Sequence, residues 1–488
     1  LHSKPQFFAR NAETILRPFP TVLLWKGEGM QTSFTAEQLR DPAIREAADI
    51  LGTCVHYGFC TSTCPTYVLS RDENESPRGR IDLIREMLEQ SVAPSAKTVA
   101  HLDTCLSCLS CMTTCAAKVD YAHLIDRARI HVETSYRRPL AQRLLRALLA
   151  LVLPRPRLFQ AALFAGRLGR GLGRAIPRPL RPLLAMIPPA ASPDILAPQI
   201  FPAQGRRKAR VALLAGCAQQ VLDGNINAAT IRLLTRHGCE VVVAQGAGCC
   251  GSLTLHMGRE HAAIAAASAN VRSWIRESDG AGLDAVIVNA SGCGTTVKDY
   301  GHLLARTPLA VDARRISAIT RDVTEFVAGI GLLPRAGAAP RLRVTYHDAC
   351  SMQHGQRVTK PPRDLLRAAG FEVADVPEKH FCCGSAGTYN LLQPETAETL
   401  GRRKAGHIES TRPDLVAAGN IGCLTQLRRY VGPPMVHTVE LLDWATGGPL
   451  PPALTGIALA ERPRPVAAEP PPPAAVPSQT THDDAGFW

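Results

Sequence analysis

The sequence predicts an α+β multidomain chain in which a helical, cysteine-rich module precedes two homologous α/β domains. Three observations carry that prediction. Two runs of closely spaced cysteines, Cys54 to Cys64 and Cys105 to Cys115, adjoin stretches with apolar residues at three- and four-residue spacing. In the C-terminal half, short apolar runs alternate with alanine-rich helical stretches, the order expected of α/β units with mainly parallel sheet. A Cys-Cys-Gly triplet occurs twice in that half, each time separated by 31 residues from a lone cysteine before it.

Taken in order, residues 1–35 are expected to be an N-terminal extension, partly disordered, and Met30-Gln31-Thr32 opens the first stretch that reads as an ordinary N-terminus. Residues 36–135 form the helical module. Leu39, Ile44, Ala47, Ala48 and Leu51 place a helix over 36–53, a Pro-Gly turn follows at Ser76-Pro77-Arg78-Gly79-Arg80, and a further helix runs from Ile81 to about Glu89. Residues 136–205 are an Arg-rich connector. Residues 206–335 and 336–449 are the two Cys-Cys-Gly domains, with buried strands expected at Val211–Ala215, Glu240–Val243, Ala285–Val288 and Arg343–Tyr346 and a helix at His261–Ile275. From 450 to 488 proline and alanine dominate, and such a tail buries too little apolar surface to fold.

The cysteine spacing points to iron–sulfur chemistry. Cys105, Cys108, Cys111 and Cys115 read C-x2-C-x2-C-x3-C, the pattern of a two-cluster ferredoxin, so 36–135 is a 4Fe-4S ferredoxin-type domain. In such modules the fourth cysteine of one run ligates the other cluster. Cys105, Cys108 and Cys111 with Cys64 therefore make a complete site. Cys54, Cys60 and Cys115 make a site of three thiolates, because Tyr57 stands where the fourth cysteine is expected. Three outcomes fit that corner: a three-iron cluster, a labile four-iron cluster completed by Tyr57, His56 or water, or no cluster. Zinc is the competing reading of Cys-x2-Cys pairs, but zinc sites pair two such units rather than three successive cysteines with a fourth set off by three residues.

The repeats place Cys217, Cys249, Cys250 and Cys293 in one domain and Cys350, Cys382, Cys383 and Cys423 in the other. Each lone cysteine follows a strand, at the carboxyl end where such sheets bind ligands. Four cysteines suffice in number for an iron–sulfur cluster or another metal; packing or redox-active thiols are the alternative. Cys239 has no counterpart and reads as a small core residue. His347-Asp348 reads either as a proton-transfer pair or as a pair orienting its loop. Arg78 and Arg80 read either as charges beside the clusters or as ordinary surface residues at a helix entry.

The chain has 488 residues, 16 cysteines and a formal charge of +13. Cysteines grouped at metal-ligand spacing, with no signal peptide before them, argue for thiolates in a reducing cytoplasm rather than disulfides. From Thr134 to Pro193 there are eleven arginines and no Asp or Glu, interleaved with apolar patches too short to span a bilayer. That segment reads as a basic amphipathic surface for membrane or subunit docking, or as a solvated connector. Nucleic-acid binding is excluded by the lack of aromatic interleaving and of a recognition motif.

The run from Cys54 through Cys60 and Cys64-Pro65 to Tyr67, then Ser76 to Arg80, then two Cys-Cys-Gly domains, resembles the iron–sulfur subunits of bacterial glycolate oxidase, also called glycolate dehydrogenase. Asn289-Ala-Ser-Gly-Cys-Gly294 and His437 to Asp443 strengthen the likeness. The related subunits of lactate, glycerol-3-phosphate and heterodisulfide oxidoreductases share the Cys-Cys-Gly domains. The resemblance implies an electron-transfer subunit with two [4Fe-4S] clusters. For an additional cluster in the Cys-Cys-Gly domains, the related heterodisulfide reductase domains carry a further cysteine near the last ligand of each repeat, where this chain has Thr296 and Gln426. The resemblance also implies FAD only on partner glycolate oxidase subunits, a quinone or other acceptor, and a cytoplasmic place at the inner face of the membrane. The family pattern has cysteine at position 57, so the departure to Tyr57 falls on the first cluster. The chain itself has no dinucleotide fingerprint and no acid–base site for a hydroxy acid.

Overall fold

Proline and its preceding caps set the helix starts of the N-terminal module. In the computed structural model, which describes residues 29–169, 195–334 and 341–457, the Asp41 side chain accepts from the Ala43 amide and Pro42 takes the first helical position, so the helix spans Pro42–Gly52. The helix expected from residue 36 is thus shortened, and Gln38–Arg40 forms a separate 3-10 turn. The stretch expected as a Pro-Gly turn is instead the first turn of a helix, Pro77–Gln90, capped by Ser76. Proline lacks only an amide hydrogen that is unpaired there anyway. With Ala96–Asp103 and Tyr121–Ser135 these helices enclose a core of Leu51, Ile84, Leu88, Leu102, Leu124 and Ile125.

The segment read as a connector is helical where it is described, over Leu140–Val152 and Pro156–Gly169. Leu149 and Leu163 are buried, and the buried Arg146 donates to the Met257 carbonyl at 3.0 Å. Leu140, Leu144, Leu151, Phe164 and Leu168 face outward. Among the described residues no helix is long and apolar enough to cross a membrane. The expected disorder of the N-terminal extension falls largely on 1–28, the later arginines of the connector on 170–194 and most of the Pro/Ala tail on 458–488, all outside the described residues.

Two sheets follow. The first has β1 (Gln199–Phe201), β2 (Ala209–Leu213), β3 (Cys239–Val243), β4 (Ala285–Val288) and β5 (Thr320–Asp322), in the order β1-β3-β2-β4-β5 and parallel except for β1. The second has β6 (Arg343–His347), β7 (Glu372–Asp375), β8 (Leu415–Ala418) and β9 (Met435–His437), in the order β7-β6-β8-β9 and all parallel. Of the inner strands, β4 and β8 are apolar throughout, as strands buried on both faces are. The expected helix at 261–275 extends to Glu260–Asp279. In each sheet the chain leaves a central strand, β2 or β6, between neighbours on either side, the switch point at which parallel sheets bind ligands.

One apolar core runs through both sheets, joining Val211, Leu213 and Ile226 to Val344, Tyr346 and Leu442. The stretch from His437 to Asp443 clamps the two domains. His437 and Glu440 form a capping box that starts the Thr438–Ala445 helix. That helix delivers Asp443, 1% exposed, to Arg232 at 2.7 Å and Arg236 at 3.0 Å on the first domain.

Candidate metal centres

The first cysteine run forms a loop whose left-handed residues, His56 and Gly58, turn the backbone around the Cys54 thiol. Cys60 follows in a short helix, Phe59–Ser62, and Cys115 arrives from the end of Ser110–Thr114. Burial, then the neighbouring Cys54 and Cys115, push the Cys60 thiol up to about 11. Cys54 is raised by burial too, with Cys115 adding to the shift. These three sulfurs, with Tyr57 and Arg78, line a cavity of about 30 Å³. Tyr57 is 66% exposed, and its ring stacks on the exposed Phe59 with centroids 6.2 Å apart.

Cys64, Cys105, Cys108 and Cys111 come together behind this loop. Burial holds the Cys108 and Cys111 thiols well above the ordinary range, and the other three sulfurs of the set raise Cys111 further. The loop Cys105–Cys111 passes through left-handed Ser107 and Leu109, and Arg129 pins it by donating to the Cys105 carbonyl at 2.6 Å. Tyr121 donates to Cys105 Sγ at 3.7 Å. Arg80 is 1% exposed, which corrects the reading of it as a surface residue. It donates to the His101 carbonyl at 2.7 Å, to Glu75 at 2.6 Å and to Thr104 at 3.0 Å, and reaches Cys64 Sγ at 3.9 Å. Burial alone would lower its pKa; Cys105, Tyr121, Cys64 and Glu75 outweigh that and raise it.

In the repeats the glycine of each triplet is left-handed, Gly251 at φ 87° and Gly384 at φ 85°. A β-carbon at either position would lie within 3.0 Å of a carbonyl, that of Ala263 or Ala397, in the following helix. In the first repeat Cys217, Cys249, Cys250 and Cys293 all interact. The hydrogen bond between Cys217 and Cys249 holds Cys249 low and Cys217 high. In the second, Cys350 and Cys382 lie 3.5 Å apart, and Cys383 packs against Cys423. Sulfurs gathered in this way, several with raised pKa values, become thiolates when a metal supplies the positive charge, so the donor sets fit such a group. Cys239 lies fully buried in β3, as a core residue would.

Two features join the cysteine sets. Cys108 of the ferredoxin-type module lies beside Cys350 and Cys382 of the second repeat, where Thr113 Oγ1 and His354 Nδ1 also meet at 2.8 Å. A cavity of about 680 Å³ is lined by Cys217, Cys250 and Cys293 on one side and Cys350, Cys383 and Cys423 on the other, under Leu149 and Leu163 of the two connector helices. His347 and Asp348 do not form a proton-transfer pair. Asp348 is taken by Arg363, whose Nη1 donates to it at 2.8 Å, and His347 faces the cysteines instead. Burial pushes the His347 pKa down to about 3.

Residues 53–119 match the model of the 4Fe-4S dicluster domain, and residues 211–298 and 344–428 that of the cysteine-rich domain. The chain is 39% identical over 417 residues to the glycolate oxidase iron-sulfur subunit of Escherichia coli, covering 85% of this chain and 99% of that protein. It belongs to the glycolate oxidase iron–sulfur subunit family. The probable glycolate oxidase iron-sulfur subunit of Bacillus subtilis is 30% identical over 81% of this chain and 94% of its own length. Lactate utilization protein A of Bacillus licheniformis is 29% identical over 48% of this chain. A hypothetical protein from Helicobacter pylori superimposes at TM-score 0.48 and 10% identity over 84% of this chain and 73% of its own, too weakly to bear on the fold.

Both stretches that strengthened the resemblance to this family have structural work. Asn289 is 1% exposed and ties Gln219 at 2.6 Å, Asn227 at 3.0 Å and Thr230 at 2.8 Å behind the first cysteine set. His437 to Asp443 forms the domain clamp. Lys404 went unnoticed in the sequence. It is 2% exposed, donates to the Glu378 carbonyl at 2.7 Å, and feels Cys383, Cys382 and Cys350. An amphipathic helix with one lysine on its buried face was the only available signal.

Proposed function

We propose that this chain is the electron-conducting iron–sulfur subunit of a flavin-dependent glycolate dehydrogenase, and that FAD-bearing partner subunits oxidise glycolate to glyoxylate and deliver electrons to it. Cys105, Cys108, Cys111 and Cys64 hold one [4Fe-4S] cluster. Cys54, Cys60 and Cys115 hold a second whose corner at Tyr57 lacks a thiolate. The cysteine sets of the repeats hold a further iron–sulfur or other metal group. Clusters bound at these positions supply one-electron carriers.

The observation that carries this reading is that Cys108 and Cys350 pack against one buried cluster around Leu106 and Cys382, so that each sulfur feels the other and the complete set of the module adjoins a set in the repeats. Around it Arg80 supplies a buried positive charge, Tyr121 donates to sulfur, and Leu106 with Tyr389 and Leu400 keeps water from the junction. The acceptor is a quinone, for which the apolar cavity shared by the repeats offers room. The exposed apolar face of Leu140–Val152, in a stretch of sequence that has eleven arginines and no Asp or Glu, rests on anionic lipid.

The test is made on the complex with its flavin-bearing partners, purified without oxygen. Cys105→Ser and Cys111→Ser are expected to abolish glycolate-dependent quinone reduction while a dye that accepts electrons from the flavin is still reduced. Quinone reduction at the wild-type rate in both variants would refute the role.

A further inference from the structure

We propose that His347 is a nitrogen ligand to the metal group of the second repeat, so that this site is a mixed cysteine–histidine set whereas the first repeat offers cysteine alone. The inference rests on the reading that the cysteines of the repeats hold metal. His347 ends β6, three residues before Cys350, and is 1% exposed. Neither of its ring nitrogens has a hydrogen-bond partner. Nine in ten or more buried polar groups find one, so a ring with both nitrogens unpaired calls for a ligand. A ring nitrogen and the sulfurs of Cys383 and Cys423 all lie within 4.8 Å of one another, which is the span of donors around one metal centre.

The groups that would otherwise engage the ring are committed elsewhere. Asp348 is held by Arg363 at 2.8 Å, and Lys404 Nζ donates to the Glu378 carbonyl. The first repeat supplies an internal comparison. Three residues before Cys217, at the corresponding place beyond β2, stands Leu214, 2% exposed and packed in an apolar cluster. Filling that position therefore takes no imidazole. Imidazole suits iron and zinc alike, and nitrogen in place of sulfur on a cluster iron raises its potential. The second repeat, whose Cys350 and Cys382 share a buried cluster with Cys108, is thus set apart from the first as the site with the greater pull on electrons.

The experiment uses the full chain purified without oxygen. Iron, zinc and sulfide are counted in the wild type, in Cys250→Ser and Cys383→Ser to assign metal to each repeat, and in His347→Leu and His347→Cys. Nitrogen coordination is read by pulsed EPR with and without 15N-histidine and by X-ray absorption at the edge of whichever metal is found, so that an EPR-silent zinc is also seen. The expected result is an imidazole signal that disappears with Cys383→Ser but not with Cys250→Ser. It is also lost in both His347 variants, with metal retained in His347→Cys and reduced by one site's equivalents in His347→Leu. Metal in the second repeat without imidazole coordination, or with coordination that survives His347→Cys, overturns the inference while leaving the cluster reading intact. If neither cysteine variant changes the metal content, the reading of the repeats falls and the inference with it.

Discussion

Arg80 shows how much one side chain holds in place around the second cysteine set. Its guanidinium bridges Glu75, Thr66, Thr104 and the His101 carbonyl and ends near Cys64 Sγ. Arg80→Met would leave Glu75 without its cation in a site that is mostly buried, at a cost of roughly 3–5 kcal/mol. The apparent unfolding temperature should fall accordingly. Arg80→Lys should recover little of it, because an ammonium cannot reproduce the forked contacts. His437 governs part of the acid response. Burial brings its pKa down to about 3, against about 6.5 in an unfolded chain. The stability from the neutral ring is complete above pH 6.5 and is lost as pH falls toward 3, since the unfolded chain takes up the proton first. Between pH 7 and pH 5 that amounts to ~2 kcal/mol. His437→Asn keeps a cap acceptor without the titration, so its urea midpoint should change less over that range. A charge beside the clusters was one of two readings the sequence left open for Arg80, but its burial and that of His437 were not legible, since a histidine and an arginine in motif-like stretches carry no mark of burial.

The Cys-Cys-Gly turn is the element on which both repeats depend. The left-handed backbone of Gly251 and Gly384 would cost an alanine ~1–2 kcal/mol. The new β-carbon would also meet a carbonyl, at 3.0 Å in the first repeat and 2.6 Å in the second. Gly384→Ala should therefore destabilise more than Gly251→Ala, and metal analysis of the two variants should show the larger loss for position 384. The sequence carried this element plainly, because identical gaps around a rare triplet reflect one structural unit used twice. Helix starts were less legible. The expected starts at 36 and 81 were displaced because Asp41-Pro42 and Ser76-Pro77 act as cap and first residue, while apolar periodicity does not register a cap. The connector read as amphipathic or solvated, but its helices were not assigned, because the inner face that packs on the domains is only Leu149, Leu163 and a few neighbours.

At the scale of the molecule, the order of a ferredoxin-type module and two α/β repeats follows from cysteine spacing and strand–helix alternation. The shared packing of Cys108 and Cys350 against one cluster and the cavity shared by both repeats do not, because docking depends on surfaces that local periodicity does not encode. His123 illustrates this: burial opposes its charge, but hydrogen bonds to Asp120 and to Asp299 of the first repeat prevail and lift its pKa to about 10. The proposed conduit has one set of four cysteines and one with a corner at Tyr57, whose exposed ring stacks on Phe59. The most direct test is iron and sulfide analysis with low-temperature EPR of the wild-type chain, purified without oxygen, beside Tyr57→Cys. The account predicts that the substitution raises iron per chain, adds an ordinary four-iron signal and slows the loss of iron in air. A wild type that already shows two ordinary four-iron clusters in the module, unchanged by Tyr57→Cys, would contradict it.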